Sequence, residues 1–369
     1  MQIVQHHARA HARNLSIVEP HRAAPVRIKA VATAVPGSAI TQDEIAALSG
    51  LVFDGHHSEI DRLLPVFSHA GIDSRNFCMP IEWYMKPHSW AERNRLFVDQ
   101  AVDLLVAVAR EAIEKADCDI ADIDALVAVS TTGVATPSLD ALVMERLGMR
   151  RDIRRLPLFG LGCVGGVVGL SRAADLTRMS SCGKTLMLTV ELCSLTFRSN
   201  DQTKGNIIAA ALFGDGAAAL LLENDGDGPE LLGGGSHTWP HSLDVMGWRV
   251  EDDGFGVLFS RDIPTLIRRE FRQPLLDFLR SQAVRLEDLA GFVVHPGGAK
   301  VLDAFEESIG LLPQSLHPAR EILRRYGNMS AATVLFVLQR MLDQGMRGLY
   351  LISALGPGFT AGFQFVNVN

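Results

Sequence analysis

The amino-acid sequence predicts an α/β fold built from two similar halves, each with a mostly parallel sheet covered by helices on both faces. Apolar strand-like segments alternate with amphipathic helical segments, and the second half repeats the order of the first. The chain has 369 residues, of which 47% are hydrophobic and 21% are charged. A chain of this length suits two domains and can bury a large core without disulfide bonds.

The composition argues against several classes of protein. The formal net charge is −7, whereas a nucleic-acid-binding protein needs a basic face. The five cysteines include no CxxC pair, which argues against a disulfide framework and a structural zinc site. No apolar run is long enough to span a bilayer, and the N-terminus lacks the apolar core of a signal peptide. We therefore expect a cytoplasmic protein with no membrane span and no nucleic-acid partner.

The first segment, residues 1–25, is expected to be a flexible extension because it is rich in His, Arg and Ala and has no apolar period. Three histidines in it, His6, His7 and His11, could chelate a metal. No Cys or carboxylate partner accompanies them, so we predict no metal site there.

Regular patterns begin at Val26. They predict a strand in VRIKAVATAVP, ended by Pro36, and then a helix capped by Thr41 with Glu44 three residues on. A long amphipathic helix follows in AERNRLFVDQAVDLLVAVAREAIEKA, where apolar residues recur at three-and-four spacing. The next segment, IDALVAVSTTG, predicts an apolar strand that enters a glycine turn.

The second half repeats this layout at a constant offset. Ser130 and His295 both end apolar strands, and Cys163 and Asn328 both precede apolar helices. The differences 295 − 130 and 328 − 163 both equal 165. Each helix is followed by an apolar strand (KTLMLTV, RGLYLIS) and then by a closing strand marked by glycine. We interpret this as an internal duplication.

The duplication defines the predicted domains. Residues 26–224 form the N-terminal half and residues 225–369 the C-terminal half, joined within the Asp-, Gly- and Pro-rich stretch 224–235. Functional loops in such halves cluster where strand ends face one another. We therefore expect residues that are far apart in sequence to meet at one site.

Three residues are the candidates for that site. Cys163 opens a Gly-rich helix, whose N-terminus favours a thiolate. His295 could lower the pKa of the cysteine as an imidazolium or bind a carbonyl oxygen as a donor, and Asn328 could donate to an oxyanion. Each also has an ordinary structural explanation, as a buried inert cysteine, a core histidine and a helix cap.

A Cys, His and Asn set without a carboxylate favours one kind of chemistry. It fits acyl loading from a thioester, followed by decarboxylation of a malonyl thioester, because the enolate produced needs two donors in a dry site. Such a reaction needs no metal and no redox cofactor.

Five motifs resemble those of the chalcone-synthase-like, or type III, polyketide synthases: FGLGCVGG, ALFGDGAA, VVHPGG, YGNMSAAT and ALGPGFTAGF. The resemblance runs from about Val26 to the C-terminus. It implies a duplicated thiolase-like fold with αβαβα layers and five-stranded sheets, with acyl-CoA and malonyl-CoA as substrates. It also implies a homodimer, for which the apolar strand LMLTV would suit the interface.

The same resemblance implies roles for individual residues. Cys163 would be the nucleophile that holds the starter and the growing chain, while His295 and Asn328 would bind the thioester carbonyl and the enolate. Phe213 and Phe259 would be gatekeepers between the CoA tunnel and the cavity. The other cavity residues it implies are Thr131, Thr136, Cys193, Thr196 and Ser330, and the candidates for contact with CoA are Arg62 and Lys300.

The product class has several candidates. The segment SHTWPHSLDVMGWRVEDDGFGVLFS resembles the bacterial branch that accepts long acyl chains, which predicts alkylpyrones or alkylresorcinols. A synthase that uses malonyl-CoA alone, making phloroglucinol or tetrahydroxynaphthalene, is one alternative. Single condensation of the ketoacyl-ACP synthase III type is another. A non-catalytic partner subunit is a third, against which the intact Cys163, His295 and Asn328 argue.

Overall fold

A computed structural model describes residues 25–37, 39–52, 65–179, 183–260 and 262–369. The candidate CoA contact Arg62 lies outside these ranges, as do His6, His7, His11 and the predicted extension up to residue 24.

The described residues form thirteen strands and twelve α-helices. The strands β1 to β13 are Val26–Ala34, Ala39–Thr41, Ser74–Asn76, Ala125–Ser130, Arg154–Phe159, Lys184–Leu192, Asp215–Glu223, Glu230–Thr238, Met246–Glu251, Gly254–Phe259, Gly291–Val294, Gly348–Gly356 and Thr360–Val368. The helices α1 to α12 are Gln42–Val52, Pro65–His69, Ile81–Tyr84, Trp90–Lys115, Leu139–Leu147, Gly165–Arg178, Lys204–Leu212, Ile263–Glu270, Arg272–Ser281, Ala299–Ile309, His317–Tyr326 and Thr333–Asp343.

Nine strands make one sheet in the order β11-β12-β13-β8-β1-β7-β6-β4-β5. The two halves join where β1 pairs with β8 through only two residue pairs, Val26–Leu231 and Arg27–Glu230. The predicted five-stranded sheet is present in the first half, but the described part of the second half contributes four strands. At the offset of β5 the second half has helix α11 instead, so the duplication is complete except at this edge.

The expectation of a mostly parallel sheet is wrong. Only the pairs β4–β5, β4–β6 and β11–β12 are parallel, and the others in this sheet are antiparallel. In the second half, the antiparallel pairing follows from the short connection between two consecutive strands. Strand β12 turns directly into β13, and a short connection joins antiparallel neighbours.

The layers follow from residues that alternate along the strands. On β4, Val127 and Val129 belong to the core around the central helices, whereas Leu126 belongs to the core under α4. Helix α6 lies between the two parts of the sheet. A Cβ at Gly169 of α6 would touch Val129, and Gly362 of β13 lies against α6 from the other side. This is the predicted αβαβα arrangement.

Two local predictions can be compared directly with the structure. The capping box is confirmed, since Glu44 N donates to Thr41 Oγ1 at 3.3 Å and Thr41 N donates to Glu44 Oε2 at 2.8 Å. The stretch 224–235 was predicted to link the two halves, but its glycine-rich end belongs to strand β8. Its glycines admit close neighbours, because a Cβ at Gly233 would lie 2.0 Å from Gln282 Oε1.

The segment LMLTV was predicted to suit a dimer interface, and this is wrong. It lies within β6, which is paired on both sides by β4 and β7. The strand at the first-half end of the sheet is β5, whose last residue, Phe159, is 59% exposed.

Among the described helices, none combines the length and the apolar character needed to cross a bilayer.

Candidate active site

Cys163 lies in a single 3₁₀ turn, Gly162–Val164, that leads into α6. Gly162 has φ of +50°, and a Cβ there would lie 2.5 Å from Pro357 Cδ, so only glycine fits this position. The Gly162 amide donates to Thr131 Oγ1 at 2.9 Å. Thr131, just after β4, and Pro357, in the loop between β12 and β13, therefore fix the backbone just before the Cys163 sulfur.

Asn328 lies beside Cys163, with 4.0 Å between Sγ and Oδ1. Its Oδ1 accepts from the Ser330 amide at 2.8 Å, and its Nδ2 donates to Gly297 O at 3.2 Å. The carboxamide is thus held at both ends. Its Nδ2 carries a second N–H, which can donate to a substrate oxygen.

His295 follows β11 and is only 3% exposed. Neither ring nitrogen has a hydrogen-bond partner among the described residues. A Cβ at Gly297 would lie 3.8 Å from His295 Nε2, so the imidazole borders the residue whose carbonyl binds Asn328. Leaving a buried polar group unpaired costs about 1–3 kcal/mol, and such a group calls for a functional explanation.

The surroundings of Cys163 do not favour the expected thiolate, and of the two roles left open for His295 they favour the donor over the imidazolium. Burial raises the pKa of Cys163 from about 9 to about 12, an effect to which the charge of Glu191 adds. Burial also lowers the pKa of His295 to about 3. A helix N-terminus contributes at most about 2 kcal/mol, whereas the change at Cys163 corresponds to about 4 kcal/mol, so burial dominates. Both shifts favour a thiol and a neutral imidazole, a state in which His295 can act as donor or base.

Two cavities lie at the site, and Cys163 borders one of them. The first, which we call the catalytic cavity, contains about 400 Å³ of space when the open solvent at its mouth is included. It is bounded by Gly162, Cys163, Cys193, Phe213, Met246, Gly247, Trp248, Val257, Leu258, Phe259, Ser330 and Pro357. Of the residues predicted to line it, Cys193, Phe213, Phe259 and Ser330 do so.

The second cavity, which we call the apolar chamber, contains about 550 Å³ of space when the adjoining open solvent is included. Cys193 and Phe213 are in the walls of both cavities, and Thr196 borders the chamber only. The rest of the wall is Ile45, Leu48, Ser49, Phe77, Ile81, Tyr84, Met85, Ser194, Phe197, Ala209 and Ala210. An outer groove shares Leu48, Phe77 and Ile81 with the chamber, so apolar walls continue from the catalytic cavity towards the surface.

The remaining predicted residues lie elsewhere. Thr131 is buried but binds the Gly162 amide and lines neither cavity. Thr136 is exposed, next to its cis bond with Pro137, so its placement in the cavity of this chain is wrong. Lys300 is exposed in the first turn of α10.

The sequence analysis missed two site residues. Glu191 is fully buried at the end of β6, and its Oε2 accepts from Thr131 N at 3.0 Å and from Thr132 Oγ1 at 2.9 Å. Burial raises its pKa to about 7. The sequence could have pointed to Glu191, because it is an acidic residue in a mostly apolar strand. The second, Trp248, borders the catalytic cavity with its ring edge-on to Phe213 at 6.0 Å, and no sequence pattern marks it.

Comparison with protein families gives two adjacent matches. Residues 79–226 match "Chalcone and stilbene synthases, N-terminal domain", and residues 233–366 match the C-terminal domain of the same family.

Individual relatives cover nearly the whole chain. A "Putative chalcone synthase" of Bacillus subtilis (strain 168) is 38% identical over 353 residues, which is 90% of this chain and 96% of the relative. A 1,3,6,8-tetrahydroxynaphthalene synthase of Streptomyces peucetius is 35% identical over 347 residues, 91% of each chain. The crystal structure of the Streptomyces coelicolor A3(2) 1,3,6,8-tetrahydroxynaphthalene synthase, a bacterial type III polyketide synthase, superposes with a TM-score of 0.89 at 27% identity. It covers 93% of this chain and 99% of the other.

Proposed function

The chain belongs to the chalcone and stilbene synthases and is a type III polyketide synthase, and we propose that it takes a medium- or long-chain fatty acyl-CoA as starter. The starter is loaded on Cys163, extended by decarboxylative condensation with malonyl-CoA and released as an alkylpyrone or alkylresorcinol. The observation that supports this starter is the apolar chamber next to the catalytic cavity.

In the proposed loading step, the Cys163 sulfur attacks the thioester carbonyl carbon while its proton passes to the lone pair of His295. The new C–S bond forms as the bond to the CoA sulfur breaks, and the departing CoA thiolate takes the proton from His295. The imidazole can take up this proton because neither of its ring nitrogens has a partner among the described residues, so one lone pair is free.

In the proposed extension step, malonyl-CoA loses carbon dioxide, and the electron pair of the broken C–C bond passes into an enolate. Asn328 Nδ2 and a His295 N–H donate to the enolate oxygen, and each such donor contributes about 2.7–4 kcal/mol. The enolate carbon then attacks the thioester carbonyl, which forms a C–C bond and releases the Cys163 sulfur. Both donors are buried, which keeps water from the enolate.

The chamber favours a long starter for a physical reason. Each methylene that leaves water for an apolar wall contributes about 0.8 kcal/mol, or about fourfold in affinity. Cys193 and Ala210 are small, so they leave the chamber open beside Phe213. An acyl chain on Cys163 can therefore extend past Phe213 into the chamber.

The experiment is a competition between starters of rising length, from acetyl-CoA to palmitoyl-CoA, with labelled malonyl-CoA and product mass as readout. We expect kcat/KM to rise with chain length. Ala210→Phe, which fills the chamber, should lower kcat/KM for long starters at least about tenfold and spare short ones. Ala121→Phe, on the surface, is the matched control.

Other outcomes would identify the alternatives. Equal or better turnover with malonyl-CoA alone would contradict the fatty acyl proposal in favour of a malonyl-CoA-only synthase, the type of its 35% identical relative. Dependence on a carrier protein, with a single extension, would indicate ketoacyl-ACP synthase III chemistry. Absence of Cys163 among the sites labelled by mild iodoacetamide would contradict its role as nucleophile.

We also propose how CoA and a second subunit are held. Lys300 is exposed in the first turn of α10, just after Gly297 and Gly298, so it can meet a CoA phosphate at the approach to His295.

Strand β5 is the last strand at the first-half end of the sheet, and its Phe159 is exposed. Among the described strands β5 pairs only with β4, and this free edge with its exposed aromatic residue supports a homodimer through β5.

A further inference from the structure

Helix α7 ends immediately before Phe213, which borders both cavities, and the carbonyls at this end have partners outside the helix. A helix C-terminus leaves four carbonyls without intrahelical partners. Arg75 Nη1 donates to Ala210 O at 2.6 Å and to Phe213 O at 2.8 Å. Arg75 is fully buried, yet this charged group binds the end of a helix rather than a carboxylate.

Gln42 completes the arrangement. Its Nε2 donates to Ala211 O at 3.0 Å and to Phe67 O at 3.1 Å, and its Oε1 accepts from Arg75 Nη2 at 2.7 Å. Because Gln42 begins α1, the pair links α7 to the helix that supplies Ile45 to the chamber wall.

The fourth carbonyl connects this end of α7 to the candidate oxyanion donor. Asn328 N donates to Leu212 O at 2.8 Å, and Gly214 N donates to Asn328 O at 3.0 Å. Gly327 has φ of +67°, and a Cβ there would lie 2.7 Å from Arg75 Cδ, so the arginine side chain packs directly on this loop.

The charge of Arg75 is suited to this place. Burial lowers its pKa to about 9, so the guanidinium stays protonated at neutral pH, and the charge of Asp215 opposes the decrease. A cation at a helix C-terminus interacts favourably with the helix dipole. Removing it would leave the carbonyls of Ala210 and Phe213 buried and unpaired.

We propose that Arg75 is a positioning residue that fixes Phe213 and Asn328 as one unit. Phe213 borders both cavities, and Asn328 lies 4.0 Å from the Cys163 sulfur. The guanidinium of Arg75 binds the Phe213 carbonyl, and the Cδ of the same side chain packs against the loop that holds Asn328. Selection of the acyl chain and stabilisation of the enolate are therefore coupled through one buried side chain. This inference rests on the proposed roles of Phe213 and Asn328.

The test uses Arg75→Lys, which keeps the charge but cannot reproduce the fork of donors. Two quantities are measured at a temperature where circular dichroism shows an intact fold. The first is the rate of malonyl-CoA decarboxylation, and the second is the ratio of long-chain to short-chain starter use. We expect kcat of decarboxylation to fall about tenfold and the starter ratio to change in the same variant. Gln42→Met, a milder change, should shift both in the same direction by about threefold.

Arg93→Lys is the matched control. Arg93 is also a buried arginine that binds backbone carbonyls, including Leu195 O at 3.0 Å, but it contacts neither Phe213 nor Asn328. It should lower the melting temperature and leave the decarboxylation rate unchanged. If Arg75→Lys likewise lowers only the melting temperature, or changes only the decarboxylation rate or only the starter ratio, the proposal is overturned. A wild-type enzyme without preference for long starters would contradict the proposed starter, while decarboxylation would still test Arg75.

Discussion

The two halves of the chain place different residues at equivalent strand ends. In the first half, Ser130 ends β4 and its Oγ donates to Glu191 Oε2 at 3.5 Å. In the second half, His295 follows β11, and its ring nitrogens have no partner among the described residues. Both side chains are buried. Duplication thus supplies two similar scaffolds, of which one pairs its strand-end side chain with Glu191 and the other holds an imidazole that has no partner among the described residues.

The segments before the central helices differ in a complementary way. Cys163 lies in the 3₁₀ turn before α6, and Asn328 lies just before the 3₁₀ turn Ser330–Ala332 that precedes α12. A Cβ at Gly166 would lie 2.2 Å from Ala331 O. The first half provides the small residue and the second half the backbone that packs on it. This close approach brings the sulfur of one half to the carboxamide of the other.

The largest expected effect tests the asymmetry of the strand ends. His295→Ala and Asn328→Leu each remove a donor from the enolate, so malonyl-CoA decarboxylation should fall about 10²–10³-fold. Ser130→Ala, at the position equivalent to His295, removes one long hydrogen bond and should change the rate less than about threefold. Radiolabelled carbon dioxide release measures all three. A loss in Ser130→Ala as large as in His295→Ala would show that both strand ends serve the reaction.

A second difference lies at the ends of β6 and β12, where Glu191 corresponds to Leu355. Because the pKa of Glu191 is raised to about 7, the folded protein holds a proton that the unfolded chain loses near pH 4.5. Its contribution to stability is therefore present below pH 4.5 and is lost as pH rises to 7, by roughly 3 kcal/mol. Glu191→Gln should lack this loss, which urea denaturation at several pH values measures.

Other buried groups titrate in the same experiment, so the difference between the two proteins is the readout. The raised pKa of Asp215, about 6, adds a decrease between pH 3.8 and 6, and the lowered pKa of His295 adds an increase up to pH 6.5. Both contributions are common to wild type and variant. Parallel stability curves from pH 5 to 7 would mean that Glu191 is ionised in the folded protein.

The comparison of the halves also explains what could be predicted. The repeated strands and helices and the pairing of Cys163 with Asn328 follow from local apolar periods and a constant offset, which a single sequence carries, whereas the short strands β2, β3, β9 and β10 were not predicted. The protonation state of Cys163 could not be predicted, because burial is produced by the whole fold and outweighs the helix N-terminus. The loss of a fifth strand in the second half and the exposure of Thr136 likewise depend on which neighbours are present, which no local pattern records.

The smallest expected effect concerns the contact between the central helices. Gly166→Ala should lower the free energy of unfolding by about 1–3 kcal/mol, because the added methyl group meets the Ala331 carbonyl rather than a flexible side chain. Gly50→Ala in α1 is the matched control, since no atom of the described residues lies within 4 Å of its Cβ position, and it should raise the free energy by about 0.5–1 kcal/mol. Urea denaturation of both variants compares them, and a gain in stability for Gly166→Ala would show that the halves do not meet through this glycine. A loss accompanied by slower decarboxylation would show that the same contact, one residue from the Ser330 that binds Asn328 Oδ1, also sets the distance between sulfur and carboxamide.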